Sequence, residues 1–315
     1  MIRVPSRTVT GGGRRRALRL SRIIIASALV TVAYLPATTG AAKPARSIGT
    51  LDCRGGGRPT VVLDAGLGAD HSEWSRIEPV VSANTRVCAW DRPRPRGAAL
   101  RGVTAVTALH AALRRASVAA PYVLVGHSIA GLEVRLFRQR FPAQVAALVV
   151  TDGTPPSEVL GERGPDSYRG ESLDEHDAAQ ALRSIPRLGA LALAVVERGQ
   201  DRSVAWETEQ ARLSSSSSDS LLVVATRSDH GIPYEQPGLV AAVVTVVVDA
   251  IRSDRNLHCS PRIVSAGGAC LAPGSIPPIP VSRWPYYLAG IALLTLAILA
   301  ASILRRRGHQ ARSAA

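Results

Sequence analysis

Acidic residues are missing from both ends of this 315-residue chain. Residues 1–42 carry seven Arg and neither Asp nor Glu, and residues 305–315 carry four Arg and no acid. These ends hold 11 of the 38 Lys and Arg residues, which leaves 27 to face all 24 acids of the middle. The formal charge of +14 therefore sits beside apolar segments, where it reads as membrane topology, and nucleic acid is excluded as an expected partner. Cysteine is scarce too. There are four, with no Cys-x-x-Cys pair and no His/Cys cluster, so no metal and no cofactor is expected. No internal repeat is present, which sets aside repeat architectures.

What is there begins with an export-like N-terminus. Arg14, Arg15, Arg16, Arg19 and Arg22 precede an apolar run of 13 residues over 23–35, followed by the small residues Thr39, Gly40 and Ala41. That run is short for a bilayer span, so residues 1–42 are expected as a cleaved signal peptide, with an uncleaved anchor as the alternative. Residues 284–304 differ. They are 21 residues without a charge, opened by Trp284, Tyr286 and Tyr287 and closed by Arg305, Arg306 and Arg307. The length suits a transmembrane helix, the aromatics suit the interface, and the Arg cluster belongs in the cytoplasm with the 305–315 tail. The expectation is a single-pass cell-membrane protein whose main domain is extracellular. Exported thiols oxidise, and of three possible connectivities Cys53–Cys88 with Cys259–Cys270 is expected.

Between the ends, short apolar runs alternate with helix-length stretches, the pattern of a mostly parallel sheet with helices on both faces. The runs are residues 60–63, 86–90, 122–125, 145–151, 191–196 and 221–225; the helical stretches include 104–117, 129–141 and 238–252. An α/β domain is expected over residues 43–260. Within it, residues 153–189, polar and Gly/Pro-rich at first and then helical, are expected as a small lid. Residues 261–283, with Pro273, Pro277, Pro278 and Pro280, read as an extended spacer to the membrane.

The chemistry concentrates where the run at 122–125 passes into a helix through Gly126-His127-Ser128-Ile129-Ala130-Gly131. A nucleophile on so sharp a turn needs small neighbours, and the turn aims a helix N-terminus at a developing oxyanion. This segment resembles the α/β-hydrolase family, in the branch with a Gly-His-Ser-x-Gly-Gly elbow, with Ala130 in place of one glycine. The resemblance covers about residues 50–255. It implies the α/β-hydrolase fold, Ser128 as nucleophile and His127 as a filler of the elbow. Upstream, Asp64-Ala65-Gly66-Leu67-Gly68 stands where the family's oxyanion loop stands, which implies N–H donors at Leu67 and, after the nucleophile, at Ile129. Asp91-Arg92 resembles the family's strand ending in Asp-Arg and is taken as structural; Pro93-Arg94-Pro95-Arg96-Gly97 replaces the customary glycine turn. Ser228-Asp229-His230-Gly231-Ile232-Pro233, then Gln236-Pro237, resembles the family's histidine loop and implies His230 as the general base.

The acid has two candidates. Asp201 follows the run at 191–196, where most hydrolases of this fold carry it, and Asp152 ends the run at 145–151, a minority position. Chain order and strand-end placement favour Asp201; either completes the order Ser…Asp…His. The resemblance thus implies a serine hydrolase acting on ester, less readily amide, bonds of a small-molecule or lipid substrate. The alternative is a surface-anchored binding protein that kept the fold and lost turnover.

Overall fold

The computed structural model describes residues 48–276 apart from 163, 185 and 186, so the expected signal, membrane span and cytoplasmic tail lie outside the described residues. Valine- and leucine-rich runs make strands that are buried on both faces, as in a parallel sheet between helical layers. The strands, in chain order, are β1 (Thr50–Arg54), β2 (Thr60–Asp64), β3 (Val87–Asp91), β4 (Leu100–Arg101), β5 (Tyr122–His127), β6 (Val145–Thr151), β7 (Asp166–Tyr168), β8 (Glu171–Asp174), β9 (Ala192–Arg198), β10 (Ser220–Ala225) and β11 (Gly268–Leu271). Eight of them form one sheet in the order β1-β3-β2-β5-β6-β9-β10-β11, parallel except for β1 and β11 at its edges. The helices are α1 (Glu78–Ser82), α2 (Gly102–Arg115), α3 (Ala130–Arg140), α4 (Pro156–Gly161), α5 (His176–Leu182), α6 (Val204–Ser214), α7 (Ile232–Glu235), α8 (Pro237–Arg252) and α9 (Pro261–Ser265).

Alternation along the strands divides the core. Val61, Leu63, Val123, Val125 and Val149 pack on the side of α1 and α8, while Val62, Leu124, Leu148 and Val195 share the other side with residues of α2, α3 and α5. α8 is rich in valine, a mediocre helix former, and its helicity comes from burial along most of its length. Pro237 sits at its first turn, where a missing N–H does no harm.

All six apolar runs are strands and all three helical stretches are helices, within two residues at the ends. Two expectations need correction. Residues 153–189 are not simply polar and then helical: α4 opens the segment, and β7 and β8 make a hairpin that pairs with β4 in a separate three-stranded sheet before α5. The domain also continues past 260. β11 extends the main sheet beside β10, and α9 packs its buried Ile263 on the α8 side of the core, so the first part of the supposed spacer is folded. Both expected disulfides are present. Cys53 and Cys88 stand opposite each other in the β1–β3 ladder, and Cys259–Cys270 ties β11 to the chain before α9. Among the described residues, no helix is long and apolar enough to cross a membrane.

Candidate active site

Ser128 stands between β5 and α3 with φ 55°, a left-handed conformation that costs energy for a residue with a side chain. The turn is possible because its surroundings are bare. A Cβ on Gly126 would lie 2.5 Å from the Ala130 carbonyl oxygen, and one on Gly131 2.9 Å from Gly153 Cα. Ala130 is fully buried and fits in place of the usual glycine.

His230 lies in the loop between β10 and α7, with Nε2 2.7 Å from Ser128 Oγ and Nδ1 2.6 Å from Asp152 Oδ2. The side chain of Gln236 holds this loop: its Oε1 accepts from the Arg227 N–H at 2.7 Å and the Ser228 hydroxyl at 3.2 Å. Asp229, at the position where glycine is customary, accepts the Gly231 N–H at 2.8 Å and so closes the turn instead of distorting it.

The carboxylate facing His230 is thus Asp152 and not Asp201. Asp152 directly follows β6, neighbour of the strand that carries Ser128, and its side chain is wholly buried. Asp201 lies three residues beyond the end of β9, exposed, where the chain has turned toward α6. A Cβ on the neighbouring Gly153 would stand 2.4 Å from Val150 Cγ1, so the position after Asp152 takes a glycine. Asp152 Oδ1 accepts from the Arg198 N–H at 3.1 Å and Trp206 Nε1 at 2.9 Å, while Oδ2 also meets Arg198 Nε at 2.7 Å. Burial pushes the Asp152 carboxyl up, but the bonds and charges of His230 and Arg198 outweigh it and hold it below the usual carboxylate value. Arg198 and Trp206, a cation stacked 4.2 Å from an indole, were not singled out in the sequence; no motif marks them.

Leu67 lines the cavity over Ser128, and Ile129 is the N-cap of α3, directly after the nucleophile candidate. Neither main-chain N–H is taken by a hydrogen bond among the described residues. Arg92 confirms its structural assignment. It is buried and donates to Ala65 O at 2.6 Å, Gly66 O at 2.8 Å and Asp64 Oδ1 at 2.8 Å, and it pairs with Glu171 of the hairpin at 3.1 Å. Glu171 in turn accepts the Gly68 N–H at 2.6 Å. The loop after β2 is thereby clamped between the arginine that follows β3 and the hairpin. Asp91 accepts the His71 N–H at 2.7 Å. Arg94, from the Pro-Arg-Pro-Arg loop, turns inward and donates to Ala69 O at 2.6 Å.

The cavity above Ser128 measures about 470 Å³ and is walled by Leu67, Ala69, Tyr168, Arg169 and Tyr234. Among the described residues one trio, Asp70, His71 and Asp91, brings three ligand-type atoms within 4.8 Å of one another. Its atoms are engaged locally: His71 Nδ1 lies 3.0 Å from Asp91 Oδ2, and Asp70 caps the turn His71–Trp74.

No family model matches the chain. An uncharacterized protein of Schizosaccharomyces pombe is 36% identical over 81 residues, 24% of this chain and only 15% of that protein's length. A thermophilic esterase from Thermogutta terrifontis superimposes with a TM-score of 0.52 at 17% identity, covering 64% of this chain and 93% of its own. A hydrolase from Pseudomonas aeruginosa gives 0.50 at 15% identity, over 62% and 92%. The protein AqDC, described for recognition and ring-cleavage of the Pseudomonas quinolone signal, gives 0.50 at 15%, over 67% and 100%. At such identities the likeness is one of fold, and together with the sheet order and the turn at Ser128 it shows that this chain has the α/β-hydrolase fold.

Proposed function

We propose that the chain is a membrane-anchored, externally facing serine hydrolase that cleaves carboxylic esters of small molecules or lipids. The observation that carries this reading is the line of Ser128 hydroxyl, His230 imidazole and Asp152 carboxylate, joined at 2.7 and 2.6 Å. In this reading Ser128 Oγ attacks the ester carbonyl while His230 Nε2 takes its proton. The Leu67 and Ile129 N–H groups hold the oxyanion, and His230 returns the proton to the departing alcohol. Water then repeats the sequence on the acyl-enzyme. Asp152 orients the imidazole and stabilises its cation. A serine at the elbow argues against epoxide hydrolysis or dehalogenation through an alkyl-enzyme, and the esterase among the structural neighbours supports the ester class. The anchor is supported by the uncharged residues 284–304 with their aromatic and arginine flanks, and the outward domain by the two disulfides.

A fluorophosphonate probe tests the chemistry. Covalent labelling of wild type and none of Ser128→Ala supports a serine hydrolase. An inert Ser128 in folded protein supports the alternative, a surface-anchored binding protein. One observation favours that alternative: Arg198 Nη2 comes within 3.0 Å of His230 Nδ1 and competes with the imidazole for the same carboxylate. For topology, a reporter that works only in the cytosol, fused after Ala315, should be active; silence there argues against the anchored orientation.

A further inference from the structure

His127, next to the nucleophile, meets an oxygen at each ring nitrogen. Nδ1 lies 3.0 Å from Glu73 Oε1, and Nε2 lies 2.8 Å from the main-chain oxygen of His230. A carbonyl oxygen has no proton to give. Glu73 Oε2 meanwhile accepts the Gly66 N–H at 3.3 Å and the Tyr234 hydroxyl at 3.1 Å. Both of these donors fall on Oε2, which leaves Oε1 to face His127. Against a carboxylate, a neutral imidazole, having a single N–H, would leave a lone pair facing an oxygen at a site where Glu73 is 3% and His127 5% exposed. An imidazolium, with an N–H at each nitrogen, satisfies both contacts and lets Glu73 accept from all its neighbours.

We infer that His127 is held as an imidazolium by Glu73, and that this buried ion pair positions the His230 main chain and the turn at Gly66 and Leu67 against Ser128. What the pair serves rests on the serine-hydrolase reading; its protonation does not. The pair joins three pieces of chain that the sequence keeps far apart: the turn His71–Trp74, the elbow, and the loop of His230 with α7. The His127 and His230 rings lie 5.0 Å apart, and a Cβ on Gly66 would stand 3.1 Å from His127 Nδ1 and 3.5 Å from Ser128 Cβ.

The charged surroundings agree. Glu73 faces His127 from the turn His71–Trp74, Asp152 from the end of β6, His230 with Arg198 behind it from the opposite loop, and Tyr234 from α7. Burial opposes the His127 cation, but the Glu73 charge and hydrogen bond, the His230 carbonyl and the more distant Asp152 outweigh it and raise its pKa. Burial and the Glu73 charge keep the Tyr234 phenol protonated, which leaves it a donor.

The test is nitrogen NMR on the full chain with isotope-labelled histidine. The His127 ring is assigned by correlation to its own backbone and checked against His127→Gln. At about pH 8, where a free imidazole is neutral, His127 should still show two protonated nitrogens, and Glu73→Gln should reduce it to one. A neutral tautomer in wild type at that pH overturns the inference, whether or not either variant folds. On a p-nitrophenyl ester, folded Glu73→Gln should lose about 10- to 100-fold in kcat with KM little changed; an unchanged kcat removes the positioning role. If wild type neither labels with a fluorophosphonate nor turns over, the hydrolase reading fails, while the NMR result still decides the charge of His127.

Discussion

The Arg198 guanidinium and the His230 imidazole meet the same oxygen of Asp152, at 2.7 and 2.6 Å. A buried carboxylate with a cation on one side and an imidazole on the other stays ionised, so it can serve as a fixed negative charge. Because its pKa is lowered on folding, its contribution to stability is present above the ordinary carboxylate value. That contribution is lost as pH falls through the folded value.

If the proposed function holds, replacing Asp152 should leave the protein folded but its turnover crippled. Asp152→Asn is expected to lower kcat on the order of 10⁴-fold, since the imidazole loses its orienting charge and its tautomer. Asp201→Asn, at an exposed position, should stay within about twofold of wild type in kcat and within about 0.5 kcal/mol in stability. Steady-state kinetics with thermal melts on both variants decides between them; a dead Asp201→Asn with an active Asp152→Asn would return the role to Asp201.

Ser128→Ala should reduce ester turnover on the order of 10⁶-fold. Alanine at φ 55° carries the same backbone strain as serine, so the melting temperature should barely move. Substantial turnover in the purified variant would remove Ser128 from the chemistry.

Glu197 offers a pH dependence of opposite sign to that of Asp152. It is fully buried in β9, and burial together with the Glu207 charge pushes its carboxyl up to about 8. The folded protein therefore keeps a proton that the unfolded chain releases near 4.5. The resulting stabilisation is complete below that value and fades as pH rises toward about 8. Glu197→Gln, uncharged throughout, should melt higher than wild type at about pH 9, with the gap narrowing toward about pH 5. A variant that melts lower at the alkaline end would show that Glu197 is ionised and paired in the folded state.

The Cys53–Cys88 bridge closes a loop across 35 residues and pins the edge strand β1 to β3. The double variant Cys53→Ala/Cys88→Ala should lose about 2–4 kcal/mol in denaturant unfolding. A loss below about 0.5 kcal/mol would mean that strand pairing alone holds this edge.

Ser128 and His230 were legible because each sits in a contiguous stretch whose small and turn-forming residues are themselves the local geometry: Gly126, Ala130 and Gly131 for one, Gly231, Pro233 and Gln236 for the other. The six core strands were legible for a similar reason, since burial on both faces writes itself as an unbroken apolar run. The hairpin at β7 and β8 is short and exposed along β7, so it leaves no such run, and β11 is recognised only by its pairing with β10. The carboxylate that faces His230 is a different matter. Asp152 and Asp201 each follow a parallel strand and each has positive φ, so local chemistry does not separate them. What separates them is where the carboxylate comes to rest: Asp152 beside the strand of Ser128 with its side chain turned inward onto His230, Asp201 beyond the sheet in solvent. The pairing of Glu73 with His127 is likewise a property of the assembled sheet, because they stand 54 positions apart in the chain and only the packing of the turn against the elbow brings an oxygen to each imidazole nitrogen.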